Sequence, residues 1–183
     1  MVAAAIWRVW DFRKRGSEQG RVSMMWSFYA LVALGCAVFG GTVIEFFFVP
    51  RPFYYSAALL GVALLIVAGV IRMAAIRTLG RFWSLHIEIR TEHVFVRQGL
   101  YRYVRHPAYL SFLLEIIAIP LIGNAWWSLG AALVGYVPLL LLRLRQEEAA
   151  LVARFGDTYR AYQQEVGALI PRFPIHRMKR GVD

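Results

Sequence analysis

PAYLSFLLEIIAIPLIGNAWWSLGAALVGYVPLLLL, residues 107–142, decides how this chain folds. Two apolar runs, Pro107–Ile122 and Ala125–Leu142, are joined by Gly123-Asn124 alone, so they must return on one another as a tight helical hairpin. Both runs are short for spanning segments, which need about 20 mostly apolar residues. Polar clusters close both open ends of the hairpin. Before it stands Gly99-Leu100-Tyr101-Arg102-Tyr103-Val104-Arg105-His106, and after it Arg143-Leu144-Arg145-Gln146-Glu147-Glu148. The hairpin brings those clusters to the same side. Polar clusters beside a bilayer are costly, and so mark a functional site by default.

Outward from the hairpin the same composition continues. Of 183 residues, 59% are apolar, above the ~45–50% of soluble domains, and the mean hydropathy is +0.52. Met24–Val49 and Tyr54–Ile76 are long enough to span, with Pro50-Arg51-Pro52 as the turn between them. Arg72, in the last turn of the second run, is placed to snorkel to the interface. Thr78–Val104 is too charged to cross. Met1–Arg15 sets Ile6, Trp7, Trp10 and Phe12 among basic residues, the pattern of an interfacial amphipathic helix. No cleavable signal peptide is expected at Met1–Trp10, which is too short for an apolar core and is interrupted by Arg8. Cys36 is the sole cysteine, which excludes a disulfide framework within one chain.

The net charge of +10 is carried almost entirely by arginine. Its distribution argues for topology and against a nucleic-acid partner. Five cations precede the first span: Arg8, Arg13, Lys14, Arg15 and Arg21. Arg77 through Arg105 lie between the second and third, and Arg143 through Arg180 follow the fourth. Only Arg51 falls on the opposite side. The positive-inside rule then predicts an all-α polytopic membrane protein of about four transmembrane helices, with both termini cytoplasmic. Gly35, Gly40, Gly41, Ala57, Gly61 and Ala68 are candidates for close helix packing. Trp126-Trp127 fits an aromatic belt, Glu45 an interfacial position, and Glu115 a buried acid bonded to a neighbour.

In Arg105-His106-Pro107-x-Tyr109, Pro107 suits the first position of a helix and pushes His106 out of helical geometry. The free N–H groups of that first turn favour anions. A membrane-interface belt of Arg, His and Tyr is the plainer alternative. Arg143 and Glu147, at i and i+4, share a helix face. They form either a simple intrahelical ion pair or a site for a ligand bearing both an ammonium and a carboxylate. His86, His93 and His106 match no zinc spacing and no cysteine joins them, so no metal is expected.

With Leu85–Arg105, Arg105-His106-Pro107-Ala108-Tyr109, Arg143…Glu147-Glu148 and Phe155-Gly156-Asp157-x-Tyr159-x-x-Tyr162, the chain resembles the isoprenylcysteine carboxyl methyltransferases over residues 80–173. The shorter Arg-His-Pro-x-Tyr piece also resembles phospholipid and small-thiol methyltransferases and membrane sterol reductases. The resemblance implies an S-adenosylmethionine-dependent membrane enzyme with a cytoplasmic cofactor pocket. It divides the chain into 1–76, an interfacial segment and two spans, and 77–183, the catalytic region. His93, Val94, Phe95 and Val96 would line the cofactor with Tyr101 nearby, and His106, Pro107, Ala108 and Tyr109 would contact it. Glu147 would hold its amino group, and Arg143 would orient the substrate carboxylate. His86 stands where animal members carry a cofactor-contacting glutamine, and Gln146 interrupts their row of glutamates. Arg105 joins Arg143 as a candidate catalytic residue, with substrate-facing and topological roles still open to it. Phe155–Tyr162 would pack a C-terminal helix over the pocket.

The implied partners are the bilayer and a lipophilic small molecule or prenylated acceptor. The arginine-rich, compact chain fits a prokaryotic inner membrane. A sterol-type reductase and a non-catalytic scaffold are the competing classes. A carboxylate acceptor, with a pKa near 4, is already ionised at neutral pH. Methylating it therefore requires alignment and exclusion of water and no general base. The topology predicts that protease added to inside-out vesicles cleaves the C-terminal segment; a protected C-terminus overturns it.

Overall fold

A computed structural model describes residues 25–79 and 97–172. Met1–Arg15, His86, His93, Val94, Phe95 and Val96 lie outside the described residues. The described chain is helical. It comprises α1 (Met25–Phe48), α2 (Tyr55–Leu79), a 3₁₀ turn (Gly99–Arg102), α3 (Pro107–Ile122), α4 (Trp126–Ala131), a π turn (Ala132–Tyr136), α5 (Val137–Phe155) and α6 (Asp157–Glu165). Three helices are long and apolar enough to cross a membrane: Trp26–Phe48, Tyr55–Thr78, and the continuous helix Trp126–Phe155. Their outward faces carry bare Phe47, Phe48, Leu59 and Val70, as helices facing lipid do.

α3 has 16 residues and is about 24 Å long, short of a hydrocarbon core of about 30 Å. Its partner in the hairpin departs from the reading of two short arms. The helix does not end at Leu142 but runs 30 residues to Phe155. Only the apolar stretch ends there, since Arg143–Phe155 is rich in good helix formers. The π turn sits just before Pro138, which has no N–H for the helical ladder and whose ring crowds the carbonyl four residues earlier. A widened turn absorbs that mismatch.

Small residues set the close approaches. A side chain on Gly61 would lie 2.8 Å from the Ala118 carbonyl oxygen, so α2 and α3 touch backbone to backbone. A Cβ on Gly41 would meet the Ser128 hydroxyl at 2.8 Å. Leu31, Val38, Ile116, Ala132, Tyr136 and Leu140 form the core between α1, α3 and the long helix. Arg72 does not snorkel. It pairs with Glu115, approaches the Ser111 hydroxyl at 3.4 Å and lies 4.9 Å from the Phe112 ring centroid. Glu115 is thus an acid bonded to a neighbouring helix.

The hairpin turn is buried. Asn124, 1% exposed and at φ 52°, accepts the Tyr54 N–H through Oδ1 at 2.7 Å. This sets the turn beside the α1–α2 connection, on one side as the charge distribution requires. Glu45 is buried rather than merely interfacial. Its carboxylate accepts the Ser128 N–H at 2.5 Å, the Ser128 hydroxyl at 2.7 Å and the Trp127 N–H at 3.2 Å, which caps α4 from another helix. Arg51 closes the group at 2.7 Å. Trp126 and Trp127 stay exposed beside it, as a belt would. Glu45→Ala strands a half-buried guanidinium and two amides. It should lower unfolding stability in detergent by about 3 kcal/mol, read by thermal or denaturant unfolding.

Candidate functional site

The open end of the hairpin begins at Pro107, the first residue of α3. His106 caps it at φ −125° and ψ 65°, outside helical geometry as a residue before proline must be. The chain returning from α6 runs alongside. Val104 and Gly167 form a single parallel bridge, and the Arg105 and His106 N–H groups donate to the Gly167 and Ala168 carbonyls at 2.8 and 3.0 Å. A glycine is required where α5 turns into α6, since Gly156 takes φ 56° and ψ −132°. α6 then packs Tyr159 and Tyr162 against Leu151, Val152 and Phe155. The Tyr162 hydroxyl donates to the Tyr101 carbonyl. Burial pushes the Tyr162 phenol up to about 12, while Arg105 and Arg97 pull it back. Its contribution to stability is therefore complete below pH 10 and is lost only as pH rises through about 12.

His106, 6% exposed, lies between the two carboxylates of α5. Nε2 is 3.2 Å from Glu148 Oε1, and Nδ1 is 4.0 Å from Glu147 Oε1. Its ring stands 5.6 Å from that of Tyr109. Glu148 also receives Arg105 Nε at 2.8 Å, Arg105 Nη2 at 2.7 Å and Gln163 Nε2 at 3.2 Å. The remaining Arg105 nitrogen donates to the Gln163 carbonyl at 2.8 Å and to the Val166 carbonyl. All three guanidinium nitrogens are spent on the protein itself. Arg105 clamps the C-terminal segment to the start of α3.

Glu147 is less enclosed, its side chain 27% exposed. The Tyr109 hydroxyl interacts with both Glu147 and Arg143, joining the two residues that the i, i+4 spacing put on one face. Arg143 is 3% exposed; Nη1 donates to the Ser27 hydroxyl at 3.0 Å, and the guanidinium lies 5.4 Å from the Phe28 ring centroid. Tyr101 completes the wall, and burial together with the nearby Glu147 carboxylate pushes its phenol up, so it stays protonated. Tyr101, His106, Pro107, Ala108, Tyr109, Arg143 and Glu147 are thus gathered where α3 begins and α5 leaves the apolar layer. Glu148, Gln163 and Ser27 were not foreseen. The Glu147-Glu148 pair held the only signal: adjacent helical residues diverge by about 100°, which lets them flank one imidazole.

The family model for the isoprenylcysteine carboxyl methyltransferase (ICMT) family matches residues 60–153, which include every described member of this cluster but Ser27 and Gln163. The chain belongs to the isoprenylcysteine carboxyl methyltransferase family. The solved structure of a eukaryotic intramembrane Ras methyltransferase of this family superposes with a TM-score of 0.65 at 26% identity, covering 82% of this chain and 54% of that one. A protein-S-isoprenylcysteine O-methyltransferase of Saccharomyces cerevisiae is 31% identical over 150 residues, 70% of this chain and 58% of the relative. A methanethiol S-methyltransferase of Mycobacterium tuberculosis is 41% identical over 83 residues, 44% of this chain and 32% of the relative. The chain thus spans well under two thirds of the length of these relatives.

If Arg105 holds the C-terminal segment in place, Arg105→Ala should leave the spans intact and free that segment. Hydrogen exchange at the Arg105 and His106 amides should speed up about 10- to 100-fold, while amides in α2 and α3 keep wild-type protection.

Proposed function

We propose that this protein transfers a methyl group from S-adenosylmethionine to the carboxylate of a lipophilic acceptor such as an isoprenylated cysteine. The observation that carries this reading is a partly open carboxylate, Glu147, and a buried guanidinium, Arg143, on one helix face beside Tyr109. Family membership supports methyl transfer over the reductase and scaffold readings. In this reading residues 77–183 are the catalytic region, and residues 1–76 hold it in the bilayer of a prokaryotic inner membrane. Both termini and the site face the cytoplasm.

The donor set suits the cofactor. Glu147 keeps part of its carboxylate open to a ligand ammonium, and the first turn of α3, at Pro107, Ala108 and Tyr109, offers a polar helix start to a ligand carboxylate. Tyr101 and, from outside the described residues, His86 and His93–Val96 would complete the lining. When bound, S-adenosylmethionine supplies an electrophilic methyl on a sulfonium. Everything else falls to the chain. Arg143, desolvated against Phe28 and anchored on Ser27, binds the acceptor anion and aims its oxygen. Tyr109 fixes Arg143 relative to Glu147, and therefore acceptor relative to donor. His106, braced by Glu148 and Arg105, packs the floor under Tyr109 and keeps water out. Charge is neutralised as the methyl moves, so a dry site favours the transfer.

A small thiol is the second reading, supported by the 41% identity with the methanethiol enzyme. Arg143 would serve a thiolate as it serves a carboxylate. The roles separate by mutation. Arg143→Ala should cut methyl transfer by about 100-fold or more while leaving S-adenosylhomocysteine affinity within about twofold in calorimetry. Glu147→Gln should weaken that affinity by about tenfold. Equal loss of both in Arg143→Ala would refute the division, and wild-type protein that binds no S-adenosylhomocysteine would refute the reading.

A further inference from the structure

One polar atom of the α5 exit turn is left over. The Gln146 amide oxygen is buried and accepts no hydrogen bond among the described residues. A buried acceptor left in that state destabilises the folded protein, and such atoms are rare enough to require a cause. Gln146 is three residues beyond Arg143, so the two side chains are neighbours on one helical surface, about 5–6 Å apart at Cβ. Glu147 lies on the other flank of Arg143, 100° away from Gln146. Around the exit of α5, then, the surface runs from a free carbonyl through a buried guanidinium to a carboxylate.

The geometry points to Gln146 as a specificity-determining residue: its amide oxygen receives the amide N–H of an N-acylated α-amino acid whose carboxylate Arg143 holds. This rests on the methyl-transfer reading and deepens it. An α-amino acid carries its nitrogen one carbon away from its carboxylate. A neighbouring acceptor and guanidinium on one helix face can therefore engage both groups at once. A simple thiol or a fatty acid offers Arg143 its charge but gives Gln146 nothing, and leaves the orphan acceptor buried. Sites built to satisfy a ligand N–H discriminate strongly against analogues that lack it, because the protein's own polar group then stays unpaired. Gln146 thus separates the peptide-like acceptor from the thiol, which share a charge and differ in this donor.

The test compares wild type, Gln146→Met and Gln146→Glu in detergent, with two acceptors. One is N-acetyl-S-farnesylcysteine. The other is S-farnesyl-3-mercaptopropionate, which keeps the carboxylate and thioether but has no N–H. Wild type should prefer the first in kcat/KM. Gln146→Met, close in shape and unable to accept, should raise KM for the first by about tenfold, leave the second unchanged and so erase the preference. S-adenosylhomocysteine affinity should not move. Gln146→Glu, still an acceptor, should keep the preference. The ligand-free Gln146→Met protein should unfold at the same or a higher temperature than wild type, because an unsatisfied acceptor has been removed. A lower unfolding temperature would show that Gln146 serves the fold, and that overturns the assignment. So does an unaltered acceptor preference, or a loss of S-adenosylhomocysteine affinity in Gln146→Met. Wild-type protein that methylates neither acceptor and binds no S-adenosylhomocysteine overturns the underlying reading itself.

Discussion

A sixteen-residue helix cannot reach across a hydrocarbon layer that its neighbours cross in twenty-three residues or more. The length of α3 constrains the rest of the molecule. One end of it must stay sunk, and a helix end in an apolar medium brings bare N–H and C=O groups with it. The protein gathers polar partners around both ends of the hairpin. At the closed end Glu45 of α1 accepts the N–H groups that open α4, and Asn124 of the turn accepts the N–H of Tyr54 in the α1–α2 connection. At the open end the C-terminal segment lends the Gly167 and Ala168 carbonyls. The candidate site lies at the open end, where Arg143 and Glu147 of the longer arm stand beside the start of the shorter one.

The two ends differ in what they leave available. At the closed end three donors and Arg51 converge on the Glu45 carboxylate, and that arrangement is structural throughout. At the open end the two glutamates divide the work. Glu148 takes the clamp, held by Arg105, His106 and Gln163. Glu147 is left partly open beside Tyr109. A buried arginine next to it, held against Ser27 and Phe28 of α1, is costly to keep in an apolar setting.

Much of this could be read from the chain, and what could not has physical reasons. Pro50-Arg51-Pro52 and Gly123-Asn124 end apolar runs with residues that break helices, so the spans and the hairpin were legible. The end of the long helix was not, because hydropathy stops at Leu142 while helix propensity continues through Arg143–Phe155. Arg72 was misplaced for a related reason: a cation near a helix end suggests snorkelling, and only the tertiary structure shows Glu115 beside it. Arg143, Glu147, His106 and Tyr109 share a motif and a face, and the fold brings them together. Glu148 escaped because its partners Arg105, His106 and Gln163 meet only when the chain beyond α6 returns beside residues 104–106, a contact that carries no periodic signal.

The returning segment also orders events in time. The site closes around residues 104–106 only when residues 163–168 have been made, some sixty positions later in the chain. During synthesis α1, α2 and the hairpin can enter the bilayer and find one another while the segment that braces His106 is still inside the ribosome. A nascent chain therefore has its apolar helices before it has the segment that holds residues 105 and 106.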